Sequence, residues 1–179
     1  MDIRYFNESF ENSVKYIEDN SVDLFFLDPP YYISGGKKQN IDLIEGDRQD
    51  WDKQWSSKDE FRGWIKDVLS LSYRQLKDTG SIYVCISWQN SNIIQDVLEE
   101  VGFYIQNRIT WKRDKGRGAK NNWKSIHEDI YFATKHSKNY TFNIDEVMVE
   151  KKVIAPYRNE DGTPKDWWVN EQGEKVRLT

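Results

Sequence analysis

Apolar positions fall along this chain in blocks whose period changes from segment to segment, and each change marks an element. Glu8–Tyr16 shows modest helical amphipathicity and leads into the polar turn Glu18-Asp19-Asn20-Ser21. Val22–Leu27 is then a nearly continuous apolar run of strand length, which predicts a buried strand. It stops abruptly at Asp28-Pro29-Pro30-Tyr31. From Tyr32 to Trp55 the glycines Gly35, Gly36 and Gly46 and mixed charges show no period, so this stretch reads as a long loop of the kind that carries function. Ser57-Lys58-Asp59-Glu60 resembles a helix start with an acidic first turn, and Phe61, Trp64, Ile65, Val68, Leu69, Leu71, Tyr73 and Leu76 keep helical spacing up to the stop at Lys77-Asp78-Thr79-Gly80. Ser81–Ile86 predicts a second buried strand, Asn92–Val101 a helix closing at Gly102, and Phe103–Trp111 and Ile130–Thr134 two more strands. Alternation of strand and helix argues for an α/β sheet of about four strands with flanking helices. Beyond Asp145 the pattern decays. Lys151–Arg158 is extended, and Asn159-Glu160-Asp161-Gly162 and Asn170-Glu171-Gln172-Gly173 look like turns around a small hairpin.

Composition narrows the chemistry. At 179 residues the chain suits one domain, and its 15% aromatic content means that much of the packing comes from rings. A net charge of −4, from 26 basic and 30 acidic residues, argues against a binder that works by overall charge alone. Locally the balance reverses: Arg108, Lys112, Arg113, Lys115, Arg117, Lys120 and Lys124 stand against the single acid Asp114, with Gly116 and Gly118 between them. That segment reads as a flexible phosphate clamp, whose contacts position a nucleic acid without reading it. A single cysteine, Cys85, excludes an intrachain disulfide and suits a reducing compartment, where an inert buried thiol is expected. His127 and His136 lack companions at ligand spacing, so no metal site is expected. The start Met1-Asp2-Ile3-Arg4 is unlike a signal peptide and no apolar run is long enough to span a bilayer, giving the expectation of a cytoplasmic protein without membrane contact.

Asp28-Pro29-Pro30-Tyr31 is the most restrictive feature. Two prolines remove two amide donors and end the strand, leaving one carboxylate, free carbonyls and one aromatic face together at a strand terminus. In open α/β sheets, ligands bind beyond the carboxyl ends of strands. The set suits an exocyclic amine on a flat ring.

The tetrapeptide after its apolar strand resembles motif IV of the DNA amino-methyltransferases, which methylate adenine-N6 or cytosine-N4 with S-adenosylmethionine. Phe61–Leu76, Gly80–Ser87 and Ile109-Thr110-Trp111-Lys112 are similar to later family segments, in the order of the permuted, beta-type arrangement. The resemblance implies a partial Rossmann-like methyltransferase sheet, with residues 1–145 as the catalytic half and 146–179 as the start of a target-recognition or partner-docking region. Asp28, Pro29, Pro30 and Tyr31 would then be catalytic, with Asp28 and Pro30 also at the cofactor. Tyr31 and Trp111 would wall an extruded base, and the basic segment would hold DNA. Aspartate in the first position is the form associated with adenine; cytosine-N4 is the alternative. The family's Phe-x-Gly-x-Gly cofactor loop has no counterpart, since Gly116-Arg117-Gly118 lies in a lysine-rich stretch with no apolar strand before it. The S-adenosylmethionine pocket is therefore expected to be completed by a second polypeptide, unless the sequence is a truncated enzyme or a DNA-binding remnant that has lost the cofactor. A strand edge left open at Asp28 would need such a partner to cover it.

Overall fold

The computed structural model describes residues 3–33, 54–117, 121, 123 and 125–179, and only the backbone of 115–117. Within these, the chain forms two compact units, Met1–Thr141 and Phe142–Thr179.

The first unit opens with a short helix α1 (Phe10–Ser13) that tightens into a 3₁₀ turn at Val14–Tyr16, less helix than the pattern over Glu8–Tyr16 predicts. Strand β1 (Val22–Leu27) has the predicted limits. Helix α2 (Lys58–Gln75) starts where Ser57 accepts a hydrogen bond from the Glu60 amide at 3.1 Å while the Glu60 carboxylate accepts one from the Ser56 amide at 2.7 Å, a reciprocal cap of the first turn. The helix stops before Lys77–Gly80, and the chain passes straight from α2 into β2 (Leu76–Ile86), so that β2 starts before the predicted Ser81 and Lys77–Gly80 is irregular strand. Val22 pairs with Leu76 but Leu24 pairs with Ser81, and the extra residues of β2 are absorbed in that interval. Gly80 makes this possible: a Cβ there would lie 3.0 Å from the Asp23 carbonyl oxygen and 2.8 Å from Leu76 Cδ1.

Helix α3 (Ser91–Val101) ends as expected at Gly102, which takes the left-handed conformation at φ 107°. Strands β3 (Tyr104–Arg117) and β4 (Ser125–Thr134) form a long antiparallel hairpin. The sheet order is β1-β2-β4-β3, with β1 parallel to β2 and the other pairs antiparallel. This is a mixed α/β sheet in which only the helical crossover joins parallel neighbours.

One face of the sheet is closed by α2 and α3. Phe61, Ile65, Leu69, Ile94, Val97 and Leu98 pack there on Ile82, Val84, Ile86 and Tyr131, all fully buried or nearly so. The other face is more open. Phe26, Tyr83 and Phe132 stack across three strands, with ring centroids 6.4 and 4.8 Å apart. Here the expectation of a buried first strand fails: β1 is an edge strand, and while Phe25 is buried, Leu24 and Phe26 are 54% and 63% exposed. Its apolar run reflects two apolar faces, of which the described residues bury one.

The second unit is a three-stranded antiparallel sheet of β5 (Glu150–Lys152), β6 (Trp168–Val169) and β7 (Lys175–Leu178) in the order β5-β7-β6. Both predicted turns form, with Gly162 and Gly173 at positive φ and their amides bonded to the carbonyls of Asn159 and Asn170. Trp167 anchors this unit. It is buried, donates its indole N–H to the Tyr157 carbonyl at 2.6 Å and lies between the cations of Arg158 and Lys175. Among the described residues, no helix is long and apolar enough to cross a membrane.

Candidate active site

Asp28 follows the last residue of β1, and the two prolines after it turn the chain out of the sheet. Tyr31 bends back so that its hydroxyl donates to Asp28 Oδ1 at 2.8 Å. Neither Asp28 Oδ2 nor the Pro29 carbonyl accepts a hydrogen bond from the described residues. Two acceptors therefore stand open side by side, one charged and one on a backbone fixed by proline.

The turn is held from behind. Asn90, buried in the 3₁₀ turn Trp88–Asn90 after β2, donates both protons of its amide, to the carbonyls of Tyr31 at 2.8 Å and Tyr32 at 3.0 Å. Tyr32 is itself left-handed at φ 50°, a conformation costly for a non-glycine residue. Its ring offsets that cost by burying against Phe61, 5.5 Å away and nearly parallel, with Trp55 edge-on. Trp55 and Trp64 pack in this cluster, and Trp51 lies outside the described residues. The loop predicted between Tyr32 and Trp55 falls mostly outside them too.

Asp28, Pro29, Tyr31 and Ile33 line one side of a cavity of about 420 Å³, and Trp111, Arg113 and Glu128 line the other. Trp111 pairs directly with Glu128 in the β3–β4 ladder, and Arg113 stands two residues further along β3 on the same face. Arg113 Nη1 donates to Glu128 Oε1 at 2.5 Å, and the Glu128 side chain is 13% exposed against 56% for Arg113. The size is in the range of small-ligand sites. Its lining combines two ring faces, a hydrogen-bond acceptor cluster and one cation.

Electrostatics follow from this crowding of carboxylates. Burial, the hydrogen bond to Asp28 and the negative charges of Asp28 and Glu128 push the Tyr31 hydroxyl far above the usual phenol range, which favours the protonated form that donates to Asp28. Burial, followed by the same two charges, pushes the Cys85 thiol up to about 11. Such a thiol is a poor nucleophile, in line with the expectation from sequence.

The structure brings Asp28, Pro29, Tyr31, Trp111 and Arg113 together from the predicted set, with Lys112 next to Trp111 on the hairpin. It does not bring in Pro30, which is half-buried and off the cavity wall, or Arg108, which pairs with Tyr131 on the helix-covered face of the sheet. The basic segment is corrected as well. Arg108 lies in the predicted strand, which continues past Trp111, so Lys112 to Arg117 belongs to β3 and not to a flexible loop: the β3–β4 ladder extends through Lys112 and resumes at Arg117. Side chains of Lys115 and Arg117, and all of Lys120 and Lys124, lie outside the described residues. Sequence reasoning missed Asn90 and Glu128. Glu128 was within reach: counting back by twos from Phe132 and Ile130 puts it on their face. Asn90 gave no signal, since its partners are carbonyls 58 and 59 residues away.

An edge strand ending in a rigid carboxylate turn thus shares one cavity with an aromatic hairpin. Residues 22–177 match the DNA methylase family, and the chain belongs to it. It is 31% identical over 170 residues to the type II methyltransferase M.HpaI of Haemophilus parainfluenzae, an alignment covering 94% of this chain and 50% of that protein. It is 38% identical over 141 residues to the DNA adenine methyltransferase YhdJ of Escherichia coli K12, covering 78% of this chain and 43% of the relative. The chain thus spans about half the length of the curated relatives it matches. Among solved structures, TTHA0409 of Thermus thermophilus shares the fold, with a TM-score of 0.52 over 75% of this chain and 53% of that one at 17% identity.

Proposed function

We propose that this chain is the catalytic half of an S-adenosylmethionine-dependent DNA methyltransferase that modifies the exocyclic amine of adenine at N6. The observation that carries the reading is the cavity in which the Asp28-Pro29 acceptors face Trp111 across the ring of Tyr31. The aromatic amine of a base is a weak nucleophile because its lone pair is delocalised. Asp28 Oδ2 and the Pro29 carbonyl would each accept one of its N–H bonds, drawing the nitrogen towards a tetrahedral shape and directing its lone pair out of the ring plane. Tyr31 and Trp111 would hold the ring by stacking after its extrusion from the duplex, recovering part of the few kcal/mol that extrusion costs. The name of YhdJ and the aspartate at position 28 support adenine over cytosine.

S-adenosylmethionine, when bound, supplies an electrophilic methyl on a sulfonium. Asp28 and Pro30, at the end of β1, are the residues of this chain that would border it. They fit as one wall only, since among the described residues no strand is followed by a glycine turn and helix and no strand pairs with the outer edge of β1, where Leu24 and Phe26 are exposed. The remaining wall is assigned to a second polypeptide carrying the Phe-x-Gly-x-Gly half. With residues 1–145 as the catalytic half, residues 146–179 would begin the region that meets the target or that partner.

The test is transfer of labelled methyl from S-adenosylmethionine to duplex DNA, followed by digestion to nucleosides. Wild-type chain combined with the second half should yield N6-methyladenine, and Asp28→Ala in the same mixture should yield none. N4-methylcytosine in the digest would overturn the assignment to adenine, and absence of transfer in every mixture would overturn the enzyme.

A further inference from the structure

Among the described basic side chains of the segment 108–124, which are Arg108, Lys112 and Arg113, Arg113 alone lines the cavity beside Asp28. It lines the cavity, on the same face of the hairpin as Trp111, and its guanidinium is fixed by Glu128. A phosphate contact gains little from being tethered to a carboxylate, which cancels much of its charge. A hydrogen-bond donor that must sit at one point gains a great deal, because the planar guanidinium keeps its remaining N–H groups directed away from the tether. Only Nη1 is engaged by the described residues, which leaves Nη2 and Nε free to donate.

Asp28 and Pro29, which carry the open acceptors, line the same cavity. The cavity therefore offers both acceptors and a donor to a single ligand edge, with two aromatic side chains in its lining. Adenine and cytosine both carry an amine beside an unprotonated ring nitrogen, which is the complementary order of donor and acceptor. Uracil, thymine and guanine carry a carbonyl beside a ring N–H, the reverse order. We propose that Arg113, held in place by Glu128, reads the ring nitrogen adjacent to the amine and so selects an amine-bearing base edge, with Glu128 as its positioning residue. This rests on the base-pocket reading above and assigns specificity within it. It also explains why Glu128, a carboxylate, is kept in a pocket that already holds Asp28: without a cation its charge would compete with Asp28 for the amine and displace the ring from register.

Free nucleosides test the inference with the chain as it stands, needing neither cofactor nor partner. Binding of adenosine, 1-deazaadenosine, which keeps the amine and lacks the ring nitrogen, and uridine would be followed through the indole N–H resonance of Trp111, assigned with Trp111→Phe. Wild type should bind adenosine about tenfold more tightly than 1-deazaadenosine, the usual scale for one charge-assisted hydrogen bond, and uridine more weakly still. In Arg113→Ala the adenosine to 1-deazaadenosine ratio should fall to about one, and in Glu128→Gln to an intermediate value, since a freed arginine still donates but from many positions. An unchanged ratio in Arg113→Ala would overturn the inference while leaving the pocket intact. Loss of adenosine 5′-monophosphate binding in that variant, with the ratio unchanged, would return Arg113 to the role of a phosphate contact. If no nucleoside moves the Trp111 signal, the base pocket itself is wrong and the inference falls with it.

Discussion

Tyr31 presents its ring to the cavity and its hydroxyl to Asp28, and the two contributions separate on substitution. Tyr31→Phe keeps the ring and releases the carboxylate to rotate. Transfer should slow about tenfold at saturation while affinity for the base stays within about twofold, which steady-state kinetics on the reconstituted enzyme would resolve. Cys85 gives a pH prediction. Its folded value, up to about 11, exceeds the ordinary thiol value of 9.0, so the native state disfavours the thiolate that the unfolded chain forms freely. Its contribution to stability is complete below about pH 9 and is lost as pH rises towards 11. Urea midpoints should fall more steeply over that interval in wild type than in Cys85→Ala, and iodoacetamide should leave Cys85 unmodified at pH 8, where about one thiol in a thousand is ionised. At this scale the sequence was informative wherever a residue acts through its neighbours in the chain. Asp28, Pro29 and Tyr31 were legible because one turn holds them, whereas Asn90 acts on carbonyls from a distant element and its own segment, Ser87-Trp88-Gln89-Asn90, carries no pattern that points to them.

Elements fix the site through two small adjustments. Asn90 clamps the turn that follows β1, and Asn90→Ala would remove the amide that donates to the Tyr31 and Tyr32 carbonyls. Stability should drop by about 1–3 kcal/mol, read from urea unfolding, and transfer should fall with it because the Asp28-Pro29 turn loses its backing. Gly80 lets β1 and β2 approach at the bulge, where a methyl group would meet the Asp23 carbonyl as well as Leu76. Leu76 can yield and the backbone cannot, so Gly80→Ala should cost about 1–3 kcal/mol in the same assay. The bulge also explains why β2 starts before the predicted Ser81: the polar and glycine content of Lys77–Gly80 marks a helix stop, yet parallel pairing with β1 beginning at Leu76 recruits the segment into the strand. Past Trp111 the basic segment misled as well. Its charges and glycines suggested a loop, but pairing of β3 with β4 imposes extended backbone that local composition does not encode.

On the scale of the whole molecule, the sheet has one face closed by helices and, among the described residues, β1 at an edge. A chain with Leu24 and Phe26 exposed on an edge strand has a route to pairing with itself. Sedimentation of the chain alone should show concentration-dependent self-association that Phe26→Lys suppresses, and addition of the proposed second half should suppress it in wild type. The α/β class and the sequence of elements were readable because each element carries its own period; exposure of β1 was not, because an apolar run looks the same whether this chain or another covers it. The order β1-β2-β4-β3 has one more consequence. Asp28 sits at the end of one outer strand and Trp111 on the other, with β2 and β4 between them as a ruler of two fixed divisions. The width of the base slot is thus set by the spacing of the ladder, and only its height along β3 depends on how the hairpin is threaded. Moving the β3–β4 register by one repeat of two residues would carry Trp111 about 7 Å along the ruler and empty the slot without loosening the sheet. A change in the length of the β3–β4 connection therefore reaches the site through register alone, and any change that keeps Trp111 paired with Glu128 keeps the calibration between the amine acceptors and the hairpin wall.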